Sequence, residues 1–149
     1  MSRRSSRPRG SAPAPAAPRR ITPDSPCPCG LPATCAACCG RLLTGVTAAP
    51  TCEALMRSRY TAFVLRDVAH LLRTWHPDTR PASLDLDPAQ RWTGLDILDT
   101  TDGSAFHTTG TVTFRAHFTA GGRAGSLHER SRFVRHEGAW VYATADFAD

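Results

Sequence analysis

Between Phe106 and Phe118 the even positions Phe106, Val112, Phe114, Ala116 and Phe118 are apolar, while His107, Thr109, Thr111, Thr113, Arg115 and His117 are polar. This two-residue period predicts a strand with one buried face. Arg91–Thr100 reads as the strand before it, across a Thr-Asp-Gly-Ser turn at 101–104. Glycines 121, 122 and 125 are read as the next turn. Leu127–Arg135 then returns, and Glu137–Gly138 leads into a last strand at Trp140–Ala145.

Upstream the period changes to that of a helix. Leu55, Met56, Tyr60, Phe63 and Val64 recur at helical spacing behind Thr51, an N-cap with Glu53 favourable in the first turn. Asp67 reads as the cap of a second helix carrying Val68, Leu71, Leu72 and Trp75, ended by His76–Pro77 because proline disfavours helical geometry in the residue before it. Helices first and an antiparallel meander afterwards predict an α+β fold, with the helices on one face of the sheet.

Charge divides the chain unevenly. Six arginines in the first 20 residues carry the whole positive excess of a +5 chain, and all 18 basic residues of the 149 are arginine. Residues 1–25 are also rich in proline, alanine and serine, and are expected to be a disordered tail. Such a tail suits RNA, DNA or anionic lipid, so residues 1–20 are the candidate nucleic-acid contact. The plainer reading is a solvated extension without a partner. The nearly neutral remainder does not itself suit a polyanion. With no apolar run near the ~18 residues that span a bilayer, no membrane insertion is expected, and the basic but polar start does not read as a signal peptide. A cytoplasmic protein is the expectation.

In that setting six cysteines point to metal rather than disulfides. Residues 26–42 hold Cys27 and Cys29, then Cys35, Cys38 and Cys39. Four soft thiolates, Cys27, Cys29, Cys38 and Cys39, suit one tetrahedral zinc ion with no open position, a structural site that folds a segment too short for a core of its own. Cys35 is the candidate substitute for Cys38. Cys52 reads as a small buried hydrophobe.

The cluster CPCG…CCG resembles the SEC-C motif, a small zinc knuckle. The stretch AAPTCEALMRSRYTAFVLRDVAHLLRTWHPDTRP, together with RWTGLDIL, LHERSRFVR and WVY, is similar to the bacterial YchJ (UPF0225) family. The resemblance implies an NTF2-like domain over about residues 50–147, in which helices pack into a curved sheet to form a cone. It also places the metal ligands on Cys27, Cys29, Cys38 and Cys39. The Gly-Ser-Gly-Lys stretch usual in the knuckle is here Leu31, Pro32, Ala33 and Thr34, which removes the basic residues that would suit an anionic partner. The family carries no established activity, so the resemblance supplies a fold and a metal rather than a reaction.

Cones of this kind often enclose a pocket. On Leu127–Arg135 the odd positions Leu127, Glu129, Ser131 and Phe133 share a face, which puts a carboxylate and a hydroxyl on the side expected to be buried. Tyr60, Trp75, Trp92, Glu129 and Ser131 are the candidate ligand-binding residues, with Glu129 and His76 the acid/base candidates. The structural alternative pairs Glu129 with Arg57 or Arg59, and makes His76 a helix cap and the aromatics core. No Ser-His-Asp order, P-loop, GxGxxG or HExxH is present. The expectation is therefore a binding module and not an enzyme: a knuckle for contact with an unknown protein partner, and a cone for homodimerisation or a small ligand. An enzyme using Glu129, or an accessory protein acting on nucleic acid through its tail, stands as the alternative.

Overall fold

The computed structural model describes residues 20–149. The predicted disordered tail thus lies outside the described residues up to position 19. Helix α1 (Cys39–Leu43) closes the cysteine-rich segment, followed by α2 (Cys52–Leu65) and α3 (Val68–Arg73). Four strands then run as β1 (Gln90–Asp102), β2 (Thr109–Ala120), β3 (Arg123–His136) and β4 (Ala139–Ala148). They form one antiparallel sheet in chain order, β1-β2-β3-β4.

Local chemistry sets the helix ends. Thr51 accepts a hydrogen bond from Ala54 N at 3.1 Å, and Glu53 sits in the first turn of α2. Arg66 ends that helix in the left-handed region at φ 60°. Asp67 then accepts from His70 N at 3.0 Å and starts α3. That helix stops at Arg73, short of Trp75, which leaves the helix and forms a parallel bridge with Tyr142 of β4. Tyr142 N donates to Thr74 O and His76 N donates to Tyr142 O, each at 2.8 Å. The sheet edge thus claims backbone groups that a continuing helix would have used.

The alternation in β2 holds from Val112 onward: Val112, Phe114 and Ala116 are buried against α2. Register carries the same face onto β3, where Leu127 pairs with Ala116, Glu129 with Phe114 and Ser131 with Val112. Phe106 does not follow. It is 95% exposed, because the chain turns through Asp102 and Gly103 at positive φ and then closes a loop in which Ser104 Oγ bonds His107 Nδ1 at 2.7 Å. The strand begins only at Thr109. Gly125 lies inside β3 rather than in the turn, where a Cβ would meet the Phe118 ring at 2.8 Å. In β1 two register shifts, at Trp92/Gly94 and Ile97/Asp99, interrupt the alternation and leave Leu98 exposed.

Most of α2 is buried, including Ser58, Arg59 and Thr61. A helix covered by a sheet on one side shows an apolar stripe alone. This one also meets the cysteine-rich segment through Thr61, and α3 with the turn after it through Ser58 and Arg59, so these polar positions face protein rather than water. Phe133, Leu71, His70 and Val112 are the largest fully buried side chains. Burying a leucine such as Leu71 contributes about 1.5–3 kcal/mol.

Candidate functional site

The Sγ atoms of Cys27, Cys29, Cys38 and Cys39 all lie within 4.8 Å of one another. A tight turn delivers the first pair: Gly30, at φ 94°, donates its N–H to Cys27 O at 3.1 Å. Cys35 O accepts from the N–H groups of Cys38 and Gly40, at 3.1 and 2.7 Å, and presents the second pair at the start of α1. A Cβ on Gly40 would lie 2.7 Å from that carbonyl, so only glycine allows the approach. Cys35 itself is buried beside the group but outside it.

Cys29 Sγ and Cys38 Sγ are 3.7 Å apart. A tetrahedral tetrathiolate with metal–sulfur bonds of about 2.3 Å has edges of about 3.8 Å. The spacing therefore suits a shared cation, and it is far too long for a disulfide, whose sulfurs lie about 2.0 Å apart. The electrostatics agree. Hydrogen bonds from the Cys29 and Cys39 side chains hold the Cys27 thiol well below the usual range. Neighbouring Cys27 and Cys29 push Cys39 far up, and burial and then Cys27 push Cys38 up to about 12. Cys27 thus favours the thiolate while Cys38 and Cys39 keep their protons until a cation replaces them.

Helix α2 holds this cluster. Arg57 Nη1 donates to Cys29 O at 2.8 Å while its Nε donates to Glu53 at 2.9 Å. Thr61 Oγ1, fully buried, lies 3.9 Å from Cys27 Sγ. Positions 57 and 61 are four apart and so share one helical face. That spacing was the available sequence signal for Thr61, which the reading from sequence did not single out.

On its other side α2 borders a cavity of about 210 Å³. All five candidate ligand-binding residues, Tyr60, Trp75, Trp92, Glu129 and Ser131, line it. Arg59 lines it as well. His76 does not; its Nδ1 accepts from Asp78 N at 3.0 Å and its ring packs on His136 at 5.1 Å. Burial pushes the Tyr60 hydroxyl up to about 12, and burial with the nearby Glu129 carboxylate does the same to Tyr142. Both phenols stay neutral.

Glu129 forms an ion pair with neither arginine expected for it. Its carboxylate accepts from Ser131 Oγ. Arg57 turns to the cysteine cluster, and Arg59 turns to the end of α3, where Nη1 donates to Leu71 O at 2.8 Å and Thr74 Oγ1 at 2.7 Å. The Arg59 guanidinium also sits 5.2 Å from the Trp75 ring centroid and 4.8 Å from that of Tyr142. An α3 that stops at Arg73 leaves free carbonyls that need donors, and an arginine on α2 reaches them. That early stop was the cue that the sequence concealed.

Among the described residues no helix is long and apolar enough to cross a membrane. The family model for the YchJ middle NTF2-like domain matches residues 51–145. A UPF0225 protein of Streptomyces coelicolor is 68% identical over 127 residues, which is 85% of this chain and 99% of that one. A UPF0225 protein of Corynebacterium glutamicum is 50% identical over 120 residues, 80% of this chain and 95% of its own. The solution structure of a SEC-C motif containing protein from Rhodopseudomonas palustris matches with a TM-score of 0.73 at 35% identity, covering 83% of this chain and 98% of that one. A crystal structure of a SEC-C motif containing protein from Psychrobacter arcticus matches at 0.69 and 25% identity, over 81% of each chain. A cysteine cluster of SEC-C type set ahead of a YchJ-type NTF2-like domain, with relatives this similar along most of their length, places this chain in the UPF0225 family.

Proposed function

We propose that this protein is a zinc-containing binding protein, in which the four cysteines hold a structural zinc ion and the NTF2-like cavity takes a small ligand. The observation that carries it is the cavity. Aromatic rings line it together with a buried cation, a carboxylate and a hydroxyl. An apolar cleft with a few convergent polar groups is the usual form of a small-molecule site. Zinc is favoured over other ions because four thiolates around a point with no open position suit a tetrahedral closed-shell cation. When bound, the metal supplies crosslinking of a segment that has almost no core, and no bond-making chemistry. Arg57 and Thr61 fasten that segment to α2, and Leu31 with Pro32 stays exposed on its outer side, the surface on which a protein partner would dock.

The reading is tested by native mass spectrometry of the full chain, purified gently and without chelator, with elemental analysis of the same sample. One zinc per chain and an added small-molecule mass are expected. Protein carrying iron, or lacking metal and two hydrogens per cysteine pair, overturns the zinc assignment. Saturation of the cavity by no compound in a fragment screen overturns the ligand assignment.

A second reading, acid/base catalysis, has one observation in its favour: Glu129 lines the cavity with Ser131 hydrogen-bonded to its carboxylate. It needs a substrate proton within hydrogen-bond reach of that carboxylate. Turnover that disappears in Glu129→Gln with ligand affinity intact is its signature.

A further inference from the structure

The cavity's polar lining has an uncommon composition. Arg59 is only 6% exposed, yet its hydrogen-bond acceptors are a backbone carbonyl and a threonine hydroxyl, both reached through Nη1. The Arg59 guanidinium hydrogen-bonds through Nη1 and lies over the Trp75 and Tyr142 rings, and among the described residues the indole Nε1 of Trp75 is buried without an acceptor. Glu129 accepts from Ser131 Oγ and is also engaged by the Tyr142 hydroxyl, which leaves a carboxylate with room for a further donor. Burial draws the Arg59 guanidinium down to about 10, and Glu129 acts in the opposite direction through space without touching it. The cavity lining therefore holds an indole donor without an acceptor, a buried guanidinium and a carboxylate that can take a further donor, with charges that offset each other.

That balance selects the ligand by elimination. A free carboxylate would satisfy Arg59 but would meet the like charge of Glu129; a free amine would satisfy Glu129 but would meet Arg59. A zwitterion matches both but must shed the water around two charges to enter an apolar cavity, which is costly. A neutral ring with an N–H and a C=O on adjacent positions gives Glu129 a donor and gives Arg59 or Trp75 an acceptor, with no charge to desolvate. Its flat faces suit walls made of Tyr60, Trp75, Trp92 and Phe133. A cavity of roughly 150 Å³ takes a benzene-sized ring, so one of about 210 Å³ accommodates a fused bicycle.

We infer that the cavity binds a planar oxo-heterocycle of the purine, pyrimidine or pterin class through its lactam edge, with Glu129 accepting the ring N–H and Arg59 donating to the ring oxygen. The inference rests on the ligand-cavity reading proposed above. A free base and a nucleoside present the same edge, and the experiment separates them.

The full chain with its native metal is titrated by isothermal calorimetry with hypoxanthine, inosine, indole, benzoate, benzylamine and phenylalanine. Hypoxanthine or inosine is expected to bind at least tenfold more tightly than indole, which has the bicyclic shape without the acceptor. Preference for hypoxanthine identifies a free base, and preference for inosine a nucleoside. Glu129→Gln, isosteric and checked for an unchanged urea midpoint, is expected to weaken the heterocycle about tenfold through loss of the charge-assisted hydrogen bond. Ser131→Ala, which frees the carboxylate to rotate, is expected to weaken it several-fold and serves if Glu129→Gln fails to fold. Indole binding as tightly as hypoxanthine overturns the inference and leaves the ligand cavity standing. So does benzoate that binds and tightens in Glu129→Gln, or preference for benzylamine or phenylalanine. Failure of all six compounds, indole included, overturns the cavity reading as well.

Discussion

Replacing Arg57 by methionine isolates the attachment between the cysteine cluster and α2. The guanidinium makes two bonds, to Cys29 O at 2.8 Å and to Glu53 at 2.9 Å, and its side chain is 15% exposed. The Glu53 pair is an i,i+4 contact with a partner 40% exposed. It is worth about 0.3–0.5 kcal/mol, and it persists whether or not the metal is bound. The bond to Cys29 O exists only when the metal-folded turn is in place. A hydrogen bond to a charged group contributes about 1.5–3 kcal/mol. Water reaches the vacated carbonyl in the variant, so the lower half of that range applies, and zinc affinity is expected to fall about 10- to 30-fold. Methionine keeps the apolar stem covered, which confines the loss to the polar contact. Competition with a chromophoric chelator measures the affinity, with urea unfolding of the main domain as the control. Glu53→Gln is expected to move the affinity less than threefold. If Arg57→Met binds zinc within twofold of the parent at an unchanged urea midpoint, the cluster does not depend on α2 for its fold, and the coupling derived from the Cys29 contact is wrong.

Three further outcomes follow from the described geometry. Phe133→Ala removes a ring that is 1% exposed, and is expected to cost about 3–5 kcal/mol in urea unfolding; a loss under 1 kcal/mol would mean that the sheet collapses onto the space. Burial, and then the charge of Arg73, hold buried His70 down to about 4 from 6.5. The unfolded chain therefore takes up a proton below pH 6.5 that the folded chain refuses until near pH 4. Stability is fully present above pH 6.5 and falls by about 3 kcal/mol between those values. His70→Gln should flatten that part of the stability profile, and an identical slope in both proteins would contradict the assignment. Removal of metal by chelation is expected to unfold the cysteine-rich segment, which has almost no core, so that Cys27, Cys29, Cys38 and Cys39 lose their burial and the mutual contacts that hold Cys38 and Cys39 protonated, and react rapidly with a thiol reagent. Cys52, 2% exposed and pushed up to about 12 by burial, should stay slow; rapid modification of Cys52 alone would show that the core opens first.

Much of the sheet was legible because one-sided burial leaves a period of two. Val112, Phe114 and Ala116 reported the buried face of β2, and the same count on β3 put Glu129 and Ser131 together. The grouping of Cys27, Cys29, Cys38 and Cys39 was legible because thiol spacing is itself the signal. What was not legible depended on contacts between distant segments. Phe106 kept the alternation but lies in a loop closed by Ser104 and His107, and a local period cannot report such a closure. Trp75 kept helical spacing but was drawn off by Tyr142, 67 positions later in the chain. The partners of Arg57 and Arg59 were hidden for a similar reason. Their helix is covered on both sides, and a sequence does not say which side a second segment will claim. Helix α1 was missed because CGRLL is a single turn with one buried residue, too short for a period to appear.

Helix α2 carries Arg57 and Thr61 toward the cysteine cluster and Arg59 and Tyr60 toward the cavity, so the two sites stand back to back on one rod of 14 residues. Whatever orders that rod from one side lowers the cost of ordering it from the other. If the cluster holds zinc and the cavity a ligand, as proposed, the two are thermodynamically linked, and the linkage is reciprocal: if zinc tightens the ligand by some factor, the ligand tightens zinc by the same factor. For a cell short of zinc, a chain with its cavity filled would be the last to surrender its ion, and one with its cavity empty the first.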